Sequence, residues 1–252
     1  MTREYFYALW ELTKRELRRK YARSYLGILW SSLYPFLRML LVVFMFTRIF
    51  DKGIDRYPAY YFVGYLMFEF FNVGSTTSVT TLRDNKDLLV KSKLTRKTFV
   101  LSRVNTAFIN FLLGCIPFVG VLIYFRAVIT PAIFLICIDL FFLYLFVAGM
   151  SYIVSILYVF FKDTMNIYIQ LVNLWRFFIA MFYSVEWMSP RVRVFIEANP
   201  IYSFVKIGRD CLIYGQVSDC KFFIQIIVYS VVIYIIGTVI FEKNNNSVLA
   251  RL

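Results

Sequence analysis

Long apolar runs separated by short charged segments dominate the pattern of this chain. About six of these runs approach the roughly 20 residues that a helix needs to cross a bilayer. The runs cover residues 28–50, 58–82, 99–125, 131–161, 165–184 and 222–241. The pattern therefore predicts an all-α integral membrane protein with about six transmembrane helices.

Residues 1–26 follow a different pattern, in which apolar residues recur at steps of three and four and so share one helical face. The apolar set is Phe6, Leu9, Trp10, Thr13, Leu17 and Tyr21, and basic residues cluster around the other face. This pattern is typical of an amphipathic helix lying in the membrane interface. A solvated cytosolic helix is the alternative interpretation.

The loops indicate the orientation of a single transmembrane domain over residues 1–252. Segment 83–98 is too charged to enter the bilayer, and Lys and Arg are more frequent on its side of the predicted spans. The positive-inside rule then places this loop and both termini in the cytosol. Segment 185–220 faces outward, and its apolar pieces between Pro190 and Pro200 and beyond predict short re-entrant helices before the last span.

Composition excludes several classes of chemistry. Hydrophobic residues make up 60% of the chain, against about 45–50% in soluble domains. The net charge of +13 fits loops on anionic lipid better than nucleic-acid binding. The chain has no histidine and no CxxC pair, so histidine catalysis and zinc sites are not expected. Cys211 and Cys220 share a polar segment and form either a disulfide or two free thiols.

Ionisable residues within the predicted spans are candidates for function, because charge inside a membrane is costly. They are Arg38, Arg48, Glu69, Arg103, Asp139 and Arg176. Arg48 and Arg103 lie near span ends, where they can snorkel. Glu69 and Asp139 either pair with Arg38 or Arg176 or line a path. Aromatic residues nearby suit sugar rings or simply face lipid. The candidate translocation path comprises Glu69, Arg176, Tyr34 and Tyr60.

The order of several short motifs carries a family resemblance. Residues 14–30 read KRELRRKYARSYLGILW and precede an apolar helix with an early proline. With the later motifs, this start resembles the permease subunits of type-2 ABC exporters for polysaccharide, O-antigen or teichoic acid. The matching positions are Lys20, Tyr21, Ser24, Leu26, Gly27, Trp30, Pro35, Phe46, Phe50, Gly64, Phe68, Phe70, Phe71, Asn85, Leu88, Leu89, Lys91, Asn199, Pro200 and Arg209. Leu94 and Thr95 stand where the family has a phenylalanine–proline pair.

The resemblance implies a homodimer in which each copy binds a separate ATPase subunit. Two copies of that subunit hold ATP and Mg, and this chain holds no cofactor of its own, which agrees with the absence of any glycine followed by lysine. The implied ATPase-coupling loop comprises Asn85, Lys86, Leu88, Leu89, Lys91 and Lys93. The implied outer gate is segment 185–220.

The substrate implied by the resemblance is a polysaccharide or teichoic-acid-type polymer, either lipid-linked or free, that crosses the cytoplasmic membrane. The candidate residues for its phosphate headgroup, on the interface helix, are Arg15, Arg18, Arg19 and Arg23. Binding of anionic membrane lipid is the alternative role for these arginines. A permease for drugs or small lipids, a membrane-embedded transferase of lipid-linked sugars and a structural membrane protein are the alternative functions. Dependence on a separate ATPase discriminates the transporters from the transferase.

Overall fold

The computed structural model describes residues 2–22, 24–49, 54–92, 94–127 and 130–251, and it contains no strand among them. The α-helices are α1 (Thr2–Tyr21), α2 (Trp30–Ile49), α3 (Tyr57–Val79), α4 (Thr81–Asp84), α5 (Lys86–Lys91), α6 (Arg96–Tyr124), α7 (Leu135–Phe160), α8 (Thr164–Trp175), α9 (Pro190–Glu197), α10 (Pro200–Arg209) and α11 (Cys220–Arg251). Short 3-10 turns cover Gly27–Leu29, Pro131–Phe134, Arg176–Ile179 and Val185–Trp187, and a π-helical turn covers Asp210–Tyr214. The all-α prediction is confirmed for the described residues.

Four helical segments of the described chain are long and apolar enough to cross a membrane. They are Gly27–Phe46, Arg96–Tyr124, Pro131–Phe160 and Cys220–Asn245. These segments coincide with the first, third, fourth and last of the predicted spans, which are therefore confirmed as membrane-length helices. Much of their surface is exposed in the chain, as expected for helices that are solvated by lipid.

Helix α3, the second predicted span, lies at the centre of the bundle and contacts α2, α6, α7 and α10. Phe62, Phe68 and Phe71 are completely buried on it. Its second half is polar, and the hydroxyls of Ser75 and Ser78 donate to carbonyls one turn back along the helix. Helix α3 is not among the described helices that are long and apolar enough to cross a membrane.

The fifth predicted span differs from the continuous helix over 165–184 that its apolar run predicts. Helix α8 has 12 residues and ends at Trp175, so it is about 18 Å long, less than the roughly 30 Å of a bilayer core. A 3-10 turn follows, and Ala180 then adopts a left-handed conformation with φ of 49°. The count of six spans therefore stays a prediction.

Pro117 and Gly114 of α6 shape its contact with α2. Pro117 has no N–H, so the carbonyl of Leu113 loses its bond within α6. The hydroxyl of Ser32 on α2 donates to that carbonyl at 2.7 Å. Close approach also depends on Gly114, where a Cβ would lie 2.8 Å from Leu66 and 3.7 Å from Pro35. The proline and glycine thus permit an interhelical bond between these spans.

Helices α7 and α11 cross at a pair of glycines within the same chain. A Cβ at Gly237 would lie 2.4 Å from the carbonyl oxygen of Gly149, and a Cβ at Gly149 would lie 2.7 Å from the backbone of Ile233. Small residues permit this approach between membrane helices. Gly149 therefore serves packing within the chain.

The segment before α11 contains the short helices α9 and α10. Helix α9 is largely exposed, whereas α10 packs against α3, α7 and α11. Asn199 caps α10 by accepting a bond of 3.0 Å from the backbone N–H of Ile201, and its oxygen also accepts from the indole of Trp175 at 3.0 Å. Pro200 occupies the first helical position, where its missing N–H is not needed. These contacts explain the Asn–Pro pair.

Helix α1 lies against α6. Leu9, Leu12 and Thr13 are buried on its bundle side, whereas Phe6 and Trp10 are mostly exposed. The predicted apolar stripe is therefore divided between contacts with the protein and an exposed aromatic edge. Exposed aromatic residues of this kind suit the membrane–water interface.

Candidate functional site

Glu16 is the centre of an ion-pair network at the end of the bundle that carries α1, α4 and α5, called the α5 end below. Its carboxylate is 3% exposed and lies 2.9 Å from both Arg15 and Arg103. Arg103 also contacts Asp84 at 3.3 Å. The network joins α1, α4 and α6, so Arg103 is paired instead of snorkelling. We call these four residues the clamp.

Asn85, which lies between α4 and α5, extends the clamp. Its side-chain oxygen accepts a hydrogen bond of 2.5 Å from Arg15, and its amide nitrogen donates to the carbonyl of Thr81 at 2.9 Å. The residue is buried. Asn85 therefore fixes the start of α5 to α1 and to α4.

Helix α5 is anchored by one leucine and exposes the apolar residues on either side of it. Leu89 is buried in a cluster that includes Leu12, Phe99 and Phe241. Leu88 and Val90 flank it on the two sides of the helix and are 42% and 66% exposed. The six-residue helix therefore has two exposed apolar side chains available to a partner.

Two of the three lysines predicted for the coupling loop belong to α5. Lys86 and Lys91 have exposed side chains at the two ends of α5. Lys93 lies outside the described residues. The structure thus brings Asn85, Leu89 and the exposed residues of α5 together, with Asn85 and Leu89 anchoring the helix.

The four candidate arginines of the interface helix occupy different environments. Arg15 belongs to the clamp, Arg18 and Arg19 are exposed in the last turns of α1, and Arg23 lies outside the described residues. Arg19 and Lys20 line a cavity of about 410 Å³ at the α5 end. Among the described candidates, Arg18 and Arg19 are therefore the ones exposed to an incoming anion.

A second cavity, of about 390 Å³, lies between the end of α1, α2, α3 and α6, and we call it the α2–α3 cavity. Tyr34 and Glu69, both predicted for the path, line it together with Trp30, Tyr65 and Phe111. The cavity of about 410 Å³ adjoins it, because the two share Lys20, Val73, Ala107 and Asn110 as lining residues. The two cavities thus lie next to each other from the α5 end into the bundle.

Tyr21, Ser31 and Asn110 form a hydrogen-bonded group at the wall between these cavities. The hydroxyl of Tyr21 donates to the side-chain oxygen of Asn110 at 2.7 Å, and Ser31 donates to the same oxygen at 2.9 Å. Gly27, with φ of 47°, provides the left-handed backbone conformation that turns the chain from α1 towards α2. These contacts give a structural reason for the tyrosine and glycine in the motif at 14–30.

Arg209 lies at the opposite, α9 end of the bundle and is almost completely buried. It donates to the carbonyls of Tyr60 at 3.2 Å and Ala180 at 3.0 Å, and its guanidinium covers the Tyr60 ring 3.4 Å from the centroid. The hydroxyl of Tyr60 donates to the carbonyl of Tyr183 at 2.8 Å. Tyr60 therefore holds the turn after α8 and lies apart from Tyr34 and Glu69.

A polar cleft of about 520 Å³ adjoins Arg209 and is bordered by α9, α10 and the start of α11. Within it, Glu197 pairs with Arg193 at 2.7 Å and with Lys221 at 2.8 Å. Hydrogen bonds from Arg193 and then from Lys221 hold the pKa of the Glu197 carboxyl below its ordinary value. Lys206 pairs with Asp210 at 2.8 Å. Acidic and basic groups are therefore interspersed at this end.

The other intramembrane candidates do not form the pairs that were considered for them among the described residues. Arg176 lies over the ring of Phe68, 5.3 Å from its centroid, and Glu69 accepts a bond of 3.2 Å from Asn72. Asp139 is buried, and neither of its oxygens has a hydrogen-bond partner in the described chain. The side chain of Arg48 lies outside the described residues.

The cysteines and acidic residues do not add a cofactor site to the described part of the chain. All four cysteines are free thiols, so the structure has the unpaired alternative for Cys211 and Cys220. No group of His, Cys, Asp or Glu side chains in the described residues is arranged to hold a metal ion. The notable sites are the clamp, the two adjoining cavities and the cleft.

Four membrane-length helices around a cavity define a multi-span membrane protein. Comparison with known families makes this class specific, because residues 7–213 match the model of the ABC-2 type transporter. The match covers most of the chain, so the chain belongs to the ABC-2 transporter family.

Characterised relatives align over nearly the same length. The O-antigen export system permease protein RfbA of Myxococcus xanthus is 27% identical over 241 residues, which cover 92% of this chain and 90% of the relative. The protein of the same name from Klebsiella pneumoniae is 25% identical over 239 residues, with the same coverage. The resemblance stated from sequence motifs is therefore confirmed at the level of the family.

Proposed function

We propose that this chain is the membrane permease subunit of an ATP-driven exporter that moves a polysaccharide across the cytoplasmic membrane. The exposed apolar side chains of α5, Leu88 and Val90, which flank the buried anchor Leu89, carry the proposal. They form the surface on which a separate ATPase subunit acts. Membership of the ABC-2 family and the names of the relatives support both the transport role and the glycan substrate.

In the proposed arrangement the α5 end faces the cytosol, and both termini lie on that side. The basic residues of α1 and of the loop around α5 support this orientation through the positive-inside rule. Helix α3 and the segment from α8 to Ala180 complete the six passes through the membrane with the four apolar helices. Helix α10 is the re-entrant element, and its burial against α3 and α11 supplies the covering that irregular backbone needs there.

The proposed working unit contains two copies of this chain and two ATPase subunits. ATP and Mg bind to the ATPase, which supplies the hydrolysis step. This chain transmits movement, because the clamp and Asn85 connect α5 to α1 and α6. Closure of the ATPase subunits displaces α5, and α1 moves with it as part of one body.

The substrate in this proposal enters from the α5 end. Arg18 and Arg19 are exposed there and attract the phosphate of a lipid-linked glycan or of membrane lipid. Tyr34 and Glu69 follow on the path inside the bundle. The cleft beside α9 and α10 forms the outer gate, where the ion pair of Glu197 and Lys221 joins α9 to α11.

Co-purification tests the proposal directly. The chain is extracted from its host in mild detergent, with and without cross-linking in membranes, and associated proteins are identified by mass spectrometry. We expect an ATP-binding protein in near-equal amount, and its loss when Leu88 and Val90 are both changed to Asp. Isolation of the chain alone after cross-linking, with turnover of lipid-linked sugars by that chain, would favour the transferase alternative.

A further inference from the structure

The α2–α3 cavity combines an aromatic wall with isolated polar groups. Trp30 and Tyr34 lie one turn apart on α2 and are 42% and 50% exposed. Both line the cavity, which also contains Glu69 on α3. Its volume of about 390 Å³ is within the range of roughly 300–1,000 Å³ that is usual for small-molecule sites.

Glu69 is half-buried in the helical bundle and has few hydrogen bonds. Its hydrogen bond comes from the neutral amide of Asn72 at 3.2 Å, and it has no ion pair of 4 Å or less among the described residues. The nearby Arg38 lies over the rings of Tyr34 and Tyr65, 5.6 Å and 5.7 Å from their centroids. A carboxylate can accept about four hydrogen bonds, so the half-buried Glu69 retains capacity to accept more.

Two further polar groups of the cavity lining have no partner in the described chain. The hydroxyls of Tyr21 and Ser31 donate to the side-chain oxygen of Asn110, whereas its amide nitrogen has no hydrogen-bond acceptor among the described residues. The hydroxyl of Tyr65 is also buried without a hydrogen bond. Buried polar groups are usually paired, and unpaired ones need a physical reason. A ligand that both donates and accepts hydrogen bonds supplies one.

The chemistry of the lining discriminates between possible ligands. An acyl chain offers no hydrogen bond to Glu69 or to the amide nitrogen of Asn110, and a phosphate is repelled by the carboxylate of Glu69. A sugar has an apolar C–H face for Trp30 and Tyr34 and hydroxyls that donate to carboxylates and accept from amides. A sugar can therefore contact the aromatic side chains of the lining and also form hydrogen bonds with its polar groups.

We infer that the α2–α3 cavity is a carbohydrate-binding site that holds a sugar unit of the transported polymer. Trp30 and Tyr34 stack on the ring, Glu69 accepts its hydroxyl protons, and Asn110 donates to its oxygens. The inference rests on the proposed function and extends it by placing a glycan subsite next to the cavity of Arg19 and Lys20. A polymer passing that cavity reaches this site next.

Binding by the intact transporter tests the inference. The chain is purified with its ATPase, placed in lipid nanodiscs without nucleotide and titrated calorimetrically with oligosaccharide fragments released from the host's surface polysaccharide. We expect the Trp30→Leu/Tyr34→Leu double variant to bind about tenfold more weakly, from the loss of two stacking contacts. Glu69→Gln is expected to weaken binding as well.

Matched variants separate a binding role from a folding role. Phe141→Leu removes an exposed aromatic ring of α7 outside the cavity lining, and Glu4→Gln removes an exposed carboxylate of α1. Both are expected to bind within about twofold of the wild type. Tyr65→Phe removes a hydroxyl without a partner, so thermal stability is expected to stay unchanged or rise while binding weakens.

The outcomes distinguish this site from the wider proposal. Unchanged affinity in the double variant, or failure of the wild-type complex to bind fragments of a polymer that it exports, overturns the site and leaves the export function intact. Retention of surface polysaccharide by a host that lacks the chain overturns the export function itself. Phospholipid that stays in the cavity in the presence of the fragments also overturns the site.

Discussion

The guanidinium of Arg209 lies in the space beside Gly64 that a side chain would need. A Cβ at residue 64 would lie 3.0 Å from the Nη2 atom of Arg209 and 3.4 Å from Val205. Arg209 is at the same time bonded to the carbonyls of Tyr60 and Ala180. The glycine therefore permits a buried arginine that joins α3, α10 and the turn after α8.

Gly64→Ala is expected to destabilise the protein by about 1–3 kcal/mol, as overpacking of a filled site does. The added methyl group displaces Arg209 from its two carbonyl acceptors. Thermal unfolding of the purified protein measures the effect. Gly120→Ala is the matched control, because no atom lies within 4 Å of a Cβ there, and we expect unchanged or higher stability. Equal effects of the two substitutions would contradict the packing relationship.

The clamp predicts a coupling energy between Glu16 and Arg103. Glu16→Gln leaves Arg103 and Arg15 without their shared buried carboxylate. We therefore expect the free energy of unfolding to fall by roughly 3 kcal/mol. The Glu16→Gln/Arg103→Gln double variant should lose less than the two single losses added together. Chemical or thermal unfolding of the four proteins gives the coupling energy.

A surface ion pair on the same helix provides the comparison for the clamp. Glu11 and Lys14 form a pair that is almost half exposed on both sides. Glu11→Gln is expected to change stability by no more than about 0.5 kcal/mol. If Glu16→Gln had an equally small effect, the clamp would not hold α1 to α6.

Substitutions of the two adjacent leucines on α5 should affect different properties, stability for Leu89 and ATPase binding for Leu88. Leu89→Ala opens a void in a buried cluster and is expected to cost about 2–5 kcal/mol of stability. Leu88→Asp changes an exposed position, so we expect normal stability and a loss of at least tenfold in binding of the ATPase, as at interface anchors. Unfolding temperature and pull-down of the ATPase separate the two effects. If Leu88→Asp bound the ATPase normally in the pull-down, α5 would not be part of the interface.

The ion pairs of Glu197 predict a dependence on pH at the α9 end. Its folded pKa is lowered by Arg193 first and by Lys221 next, so the carboxylate contributes stability above its ordinary value of 4.5 and loses that contribution as the pH falls through the lower, folded value. The stability advantage of the wild type over Glu197→Gln should therefore be complete at pH 7 and shrink below pH 4.5. An advantage that grows on acidification would contradict the pairing.

The local sequence pattern was sufficient to predict the helices whose length is determined by the lipid bilayer. The apolar runs that include Met39, Phe118, Leu143 and Ile226 specified four membrane-length helices, because the bilayer requires a minimum length of apolar sequence. The charged periodicity of residues 1–26 likewise specified helix α1. Neither inference needs knowledge of distant contacts.

Long-range contacts determine what the sequence pattern could not predict. The run from 164 to 189 contains no glycine or proline, yet α8 ends at Trp175 because Ala180 is held by Arg209 and Tyr60, each distant along the chain. Arg103 looked like a snorkelling residue at a span end, whereas its partner is Glu16 on the interface helix. Such pairings become visible only when the helices are assembled.

The candidate site likewise combines features that the sequence pattern predicts with features that depend on long-range contacts. Motif order indicated the family, but it did not indicate that Arg15 bonds to Asn85 instead of remaining available for phosphate. The coupling loop stays a prediction. The cavity around Glu69 brings together residues from α2, α3 and α6 that have no shared spacing. Asn110 was missed, since an asparagine in an apolar run has no distinctive sequence signal.

Display of surface polysaccharide by the host is the measurement that tests the central claim most directly. The chain is deleted from the host, and polymer on the cell surface is compared with polymer retained inside by antibody or lectin binding to intact and permeabilised cells. We predict that polymer accumulates inside the deletion strain and returns to the surface when the wild-type chain is restored. Polymer that reaches the surface at normal levels without the chain would contradict the account.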